Sequence, residues 1–326
     1  MRINEIDAEK GSNHLPLYFL KYILVNHRLI NVLIFILLAL TWGSSFILMK
    51  IGLQSFSSNQ VASMRLLAAG ISLLPFFFYF IRKTPRGKLP VIILSGLLGN
   101  GIPAYLFCLA ETQIDSSLAG ILNSLTPLFA LLSGIVLFKA PMVKKQLIGI
   151  CVGLIGVVGL FAVKGIQTNE YWYYSFFVIA ACICYGLNIA LVHHYLKGYS
   201  SLQLGSIALF FMAIFALPIL LFSDIKAAFQ TGATPWESLG ASAVLGIMGT
   251  GVASVLFYQL IKRAGGMMAS MVTYALPVVA IGWGFVAGES ISWLQVVCMG
   301  IILSGVYLAN NAAKKAPVVE DTPVKS

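Results

Sequence analysis

The sequence predicts an all-α membrane protein: ten transmembrane helices built as two inverted five-helix repeats, with both termini cytoplasmic. Three observations carry this expectation: composition, ten apolar runs of bilayer length, and self-similarity at a fixed offset. Apolar residues make up 59% of the 326 positions and charged residues only 10%, and the mean hydropathy is +0.91. A soluble domain carries about 25% charged residues to keep its surface wetted. This chain has too few, so lipid is the solvent for most of it.

A helix crossing the hydrocarbon core needs about 20 apolar residues. Such runs fall at 32–51, 61–81, 90–109, 117–137, 146–163, 172–192, 202–222, 238–260, 267–288 and 291–309. The short alternating segments of a membrane barrel are absent from the sequence. Short connections make consecutive helices antiparallel neighbours, and residues 164–171 mark the midpoint. The organisation expected is a cytoplasmic N-terminal segment (1–30), two five-helix repeats (31–165 and 166–311) and a disordered cytoplasmic tail (312–326). Within the first segment, the apolar stretch 15–25, broken by Lys21, suits an interfacial helix, and no small-residue cleavage site precedes the first long run.

Loop charge sets the orientation. With the N-terminus inside, the cytoplasmic segments hold Arg28, then Arg82, Lys83, Arg86 and Lys88, then Lys139, Lys144 and Lys145, then Lys197, Lys262 and Arg263, and finally Lys314 and Lys315. The outer segments hold only Lys50, Lys164 and Lys226. That asymmetry places both termini inside an inner (plasma) membrane. It also accounts for the net charge of +10 without nucleic acid as a partner. Tyr171, Trp172, Tyr173, Trp236 and Trp293 fall at outer helix ends, where aromatic belts form. The five cysteines lie in apolar runs without metal-ligand spacing and read as small buried hydrophobes, so neither metal nor cofactor is expected.

At an offset of 150 the third and fourth runs fall on the eighth and ninth. Identities occur at Gly96/Gly246, Gly99/Gly249, Gly101/Gly251, Leu106/Leu256, Phe107/Phe257, Ala119/Ala269, Pro127/Pro277, Ala130/Ala280, Gly134/Gly284 and Val136/Val286. So biased a composition gives roughly four by chance. The fifth and tenth runs match at 149, with Gln146/Gln295, Leu154/Leu303, Gly156/Gly305 and Val157/Val306. Because five is odd, the second half enters the membrane in the opposite sense. An inverted repeat of this kind has two near-mirror conformations, each open to one side, which is the physical basis of alternating access.

At particular residues the chain resembles EamA-type members of the drug/metabolite transporter superfamily. The matching stretches are Trp42-Gly43-Ser44-Ser45-Phe46 with Lys50, Arg65-Leu66-Leu67, Ala119 with Thr126-Pro127, and Gly288-Glu289 followed by Gln295 and Gly305-Val306. The resemblance covers residues 33–310. One departure is Phe138-Lys139, where the second half keeps the Gly-Glu pair. The resemblance implies a secondary transporter exporting amino acids or related metabolites. Some members import, so an uptake carrier for a vitamin, nucleoside-like or other metabolite stands as the alternative. A non-transporting membrane adaptor is the alternative of another class. An enzyme is not expected, because no zinc-type His–Glu spacing, Ser/His pair or aspartyl pair occurs at membrane depth.

Polar groups inside a bilayer face a cavity or another helix. Trp42, Ser45, Asn100, Asn123, Tyr185, Asn188, Tyr258, Tyr274 and Trp283 are the candidates for lining a substrate cavity, beside helix bends at Pro127 and Pro277. Interhelical hydrogen bonding is the competing role for each. Arg65 lies a turn into its run, where its guanidinium either binds a substrate carboxylate or pairs with Glu111 or Glu289. Lys50, at the end of the first run, reads better as a snorkelling anchor than as a ligand. No Asp or Glu falls mid-membrane, Glu111 and Glu289 being expected in water at outer helix ends, and His193 and His194 read as interface residues. The partners expected are a small-molecule substrate and the lipid bilayer. Oligomeric state has no signature here.

Overall fold

A computed structural model of the chain describes residues 17–139, 142–166 and 171–313. All regular structure among them is helical. A helix satisfies its own backbone N–H and C=O groups, which hydrocarbon cannot do. The chain begins with α1 (Leu17–Gly43), interrupted at Ser44 and continued by α2 (Ser45–Gly52). The stretch read as an interfacial helix is continuous with α1 from Leu17 onward. Next come α3 (Ser58–Ser72) and α4 (Leu74–Ile81), bent by 62° near Pro75. Then α5 (Leu89–Gly96), a π-helical turn (Leu97–Gly101) and α6 (Ile102–Ala110) form one arm. The next arm, α7 (Ser116–Asn123) and α8 (Thr126–Phe138), is broken just ahead of Pro127. α9 is Lys144–Ile166.

The second half follows with α10 (Ser175–Tyr195), α11 (Ser201–Leu221) and the short α12 (Ile225–Thr231). Then come α13 (Pro235–Val244), a second π-helical turn (Leu245–Val252), α14 (Ala253–Val286) and α15 (Trp293–Ala313). Among the described residues eight stretches are long and apolar enough to cross a membrane, or nine with the bent α3–α4 pair counted as one span; Val272–Val286 is a shorter apolar helix. The tail 314–326, expected to be disordered, lies outside the described residues.

Helical assignment runs through the whole of α14, yet its two parts meet the same place on α1. The Phe257 ring lies 5.1 Å from Trp42, and a Cβ on the adjacent Gly43 would collide with Val279. A straight helix would set residues 257 and 279 about 33 Å apart at 1.5 Å per residue. The chain therefore doubles back between them.

The bundle surface is apolar, as lipid requires. Ile71, Val158, Leu221, Phe222 and Phe285 are all exposed, a cover that water would penalise. Cys151, expected to be buried, is exposed among Ile148 and Ile155 on this face, and Cys184 is half-buried. A thiol is as much at home against lipid tails as in a core.

Local chemistry sets the helix ends. Ser57 and Gln60 form a reciprocal capping box at the start of α3. Gln146 and Gln295, matched in the sequence offset, share one task. Each folds back to accept the backbone N–H three residues before it, from Val143 at 2.7 Å and Ser292 at 2.8 Å. Gly288 adopts φ 78° and ends α14, with the Glu289 N–H returning to Gly284 O at 2.9 Å. Lys139 takes the left-handed conformation at the matching end of α8 despite its side chain, with φ 51°. Helices α9 and α15 make the closest approach. A Cβ on Gly305 would strike the backbone of Gly149 and Gly153, and one on Gly149 would strike that of Ala309.

Candidate substrate cavity

The bundle has two ends. A proximal end carries the Arg263 Nε to Asn31 bond and the Lys88 Nζ to Tyr195 O bond. A distal end carries Lys50, Glu111 and Glu289. Between them lies a hollow of about 350 Å³, equal to the liquid volume of about a dozen waters and within the range of small-ligand sites.

The broken helices build it. A π-helical turn releases backbone carbonyls from the regular ladder, and both π-helical turns face the hollow, through Gly99-Asn100 and Gly249-Thr250. Trp42 Nε1 donates to the Gly249 carbonyl at 2.8 Å. The residues before Pro127 and Pro277, Thr126 and Leu276, also line it. Contacts recur in pairs across the two halves. A Cβ on Gly249 would press on Ser45, and one on Gly99 would strike Asn188; one on Gly43 would meet Val279, and one on Gly186 would meet Phe129.

Five aromatic rings form part of the walls. Trp42 packs on Phe257, Phe46 on Phe107 at 5.9 Å, and Phe107 on Tyr185 at 6.1 Å. Polar groups stand between the rings. Asn188 Oδ1 accepts from Ser95 Oγ at 2.6 Å, and Asn123 Oδ1 from Thr126 Oγ1 at 3.3 Å. Among the described lining residues Arg65 alone carries a charge. Its Nε donates to Thr250 Oγ1 at 3.3 Å and its Nη1 to Met49 Sδ at 3.8 Å. Neither partner is an anion. Among the described residues no carboxylate sits within ion-pair reach of it, so the expected alternative pairing with Glu111 or Glu289 is not made.

Of the residues singled out in the sequence, Trp42, Ser45, Asn100, Asn123, Tyr185, Asn188 and Arg65 meet at this hollow. Tyr274 does not. It lines a second, apolar hollow of about 690 Å³ with Phe35, Val152 and Tyr307, and its hydroxyl accepts from Asn310 Nδ2 at 3.0 Å. One residue earlier, Thr273 faces the central hollow, because successive helical positions point about 100° apart. Trp283 stands more than a turn beyond Leu276, half in the open, and donates to Ser44 Oγ at 2.6 Å. The Tyr258 side chain lies outside the described residues. Thr250 and Ser254 were missed. The Gly-x-Gly shared by both halves was the available signal for Thr250, since it mirrors Asn100.

Lys50 is not among the residues that line this hollow. Its ammonium clips the end of α6, donating to Glu111 O at 3.0 Å and Ile114 O at 2.9 Å, carbonyls the helix leaves unpaired. The two acids expected in water are both drawn inward. Glu289 caps α7, accepting from Ser116 N at 2.8 Å, Ser116 Oγ at 2.7 Å and Ser117 N at 3.0 Å, because Asp115 makes no side-chain cap. Burial raises the Glu289 carboxyl, but the hydrogen bonds from Ser116 and Ser117 outweigh it and leave it below the ordinary range. Gly284 makes room for this acid, since a Cβ there would strike its carboxylate. Glu111 is 0% exposed.

A multi-pass helical membrane protein with one polar-lined hollow at the centre of broken helices has the build of a carrier. The chain belongs to the EamA-like transporter family, which matches it twice, at residues 29–162 and 172–311. It is 27% identical over 300 residues to the Escherichia coli K12 protein named "Uncharacterized inner membrane transporter YedA", covering 87% of this chain and 94% of that one. It is 25% identical over 277 residues to a "Probable terminal-alkyne amino-acid exporter" of Streptantibioticus cattleyicolor, covering 84% and 91%. A "Probable amino-acid metabolite efflux pump" of Salmonella typhimurium is 23% identical over 286 residues, covering 84% and 92%. One solved crystal structure shares the fold at a TM-score of 0.54 and 19% identity, covering 88% of this chain and 99% of its own.

Proposed function

We propose that this protein is a secondary carrier that exports a small carboxylate-bearing metabolite, an amino acid or close relative, across the inner membrane by alternating access. The observation that carries the reading is Arg65, a half-buried guanidinium facing the central hollow, whose partners among the described residues are a hydroxyl and a thioether. A cation drawn out of water without an anion is costly, and a substrate carboxylate would complete it in a two-pronged pair. Asn123, Asn188 and the faces of Trp42 and Tyr185 then suit an ammonium. The names of two relatives, an amino-acid exporter and an amino-acid metabolite efflux pump, support the substrate class and the direction.

The architecture proposed is ten crossings in two inverted five-helix halves, with both termini cytoplasmic. The double family match, the paired π-helical turns, the equivalent roles of Gln146 and Gln295 and the reversal within α14 all support it. In this reading the distal end faces outward. Purified protein in liposomes preloaded with unlabelled neutral amino acids should accumulate a labelled mixture of the same compounds by counterflow. Folded protein that exchanges none of them, nor any organic acid in a wider panel, would refute the substrate class.

A further inference from the structure

The distal end holds one group that neither the fold nor the substrate accounts for. The side chain of Glu111 is fully buried, and neither carboxyl oxygen has a hydrogen-bond partner. The charged groups beside it are held elsewhere. Lys50, from α2, gives its donors to the backbone carbonyls of Glu111 and Ile114. Arg65, from α3, is held by Thr250 and Met49. Glu289, from the turn after α14, caps α7 through Ser116 and Ser117. The neighbouring thiol on its own helix is Cys108, itself fully buried, and α10, packed on α6, brings Tyr185 and Cys182. An ionised carboxylate with no donor in such a place is far costlier than a neutral acid.

The position links this group to the cavity. Phe107, one turn before Glu111 on α6, forms part of the wall. Met49, beside Lys50, touches both the hollow and Arg65. Phe107 and Met49 thus join the surroundings of Glu111 to the wall of the hollow.

We propose that Glu111 is the proton-binding site of this carrier, and that it must take up a proton from the distal side before that end can close. When the distal contacts part, water reaches the carboxyl, its O–H bond breaks, and the proton passes to that water. The electron pair stays on a carboxylate facing Lys50 and Arg65. Closing reverses the step, a proton from distal water forming the O–H bond as the group is buried again. Burial drives the Glu111 carboxyl well above its ordinary range, against the opposing pull of Lys50 and with the push of Glu289. The inference rests on the carrier reading for what closing accomplishes, but its test needs no substrate.

The test uses full-length protein in liposomes, on a background with its cysteines replaced, with spin labels at Gln113→Cys and Ser290→Cys across the distal seam. Lowering the pH should shorten this distance in one titration and strengthen the infrared band of a protonated carboxyl. In Glu111→Gln the distance should stay short at every pH and that band should be lost. In Lys50→Met, which removes an opposing cation, the titration should move to higher pH. A Glu111→Gln protein that keeps both the band and the titration overturns the proposal. So does a Lys50→Met titration unmoved from the parent. If these readouts follow expectation but no labelled amino acid exchanges, the proton site stands and the substrate class fails.

Discussion

Arg65→Gln should weaken binding of a carboxylate substrate by about 30-fold or more and leave thermal stability unchanged or raised. Removing one partner of a buried, hydrogen-bonded charge pair costs about 2–5 kcal/mol, and each 1.4 kcal/mol is a factor of ten. Without substrate, however, Arg65 has only Thr250 and Met49 as partners. Taking away a charge with no counter-ion relieves the folded protein. The signature is therefore a split between two measurements: the half-saturation concentration for counterflow rises steeply, while the unfolding midpoint in detergent holds. Arg65→Lys should recover little, because an ammonium cannot grip a carboxylate in two parallel bonds. A matched fall in stability and transport would mean that Arg65 serves the fold.

Glu289→Ala should have the opposite profile. It leaves Ser116 N and Ser117 N, at the start of α7, without their acceptor. Hydrogen bonds to a charged group contribute about 1.5–3 kcal/mol each, and solvent at this half-exposed acid screens part of that, so a loss of about 2–3 kcal/mol is expected. The pH dependence follows from the lowered carboxyl. Its contribution is present above the ordinary glutamate value of about 4.3 and is lost as the pH falls through the lowered folded-state value. Thermal unfolding followed against pH should show this acid limb in the parent protein and lose it in Glu289→Ala. Glu289→Gln keeps an acceptor without the charge, so it should fall between the two.

The fold was legible because a bilayer leaves few choices. Apolar run length was enough to announce an all-helical, multi-pass chain, with eight or nine spans rather than ten among the described residues, and the offset identities marked residues that do equivalent work, such as Gln146 and Gln295. The cavity was legible where an amide falls within an apolar run, as with Asn100, Asn123 and Asn188. It was not legible where rotation about a helix decides. Tyr274 lies on the same helix as Leu276 but on another face, Trp283 lies about two turns further along, and a span hydrophobic all round shows no periodicity to tell such positions apart. Glu111 and Glu289 misled for a different reason. Position at a helix end suggests water, but contacts made from distant parts of the chain fill that space. Glu111 is fully buried at the end of α6, where Lys50 reaches its carbonyl from α2.

All of this depends on a central hollow that opens to one side at a time. A single cysteine at Asn123, in a protein otherwise free of cysteine, reports on it when a membrane-impermeant maleimide is added to either face of right-side-out and inverted vesicles. The account predicts labelling from the proximal face at rest, protection by substrate, and a gain of labelling from the distal face when Glu289 is replaced by Ala. A residue that is unreactive from both faces, or open to both at once, would contradict it.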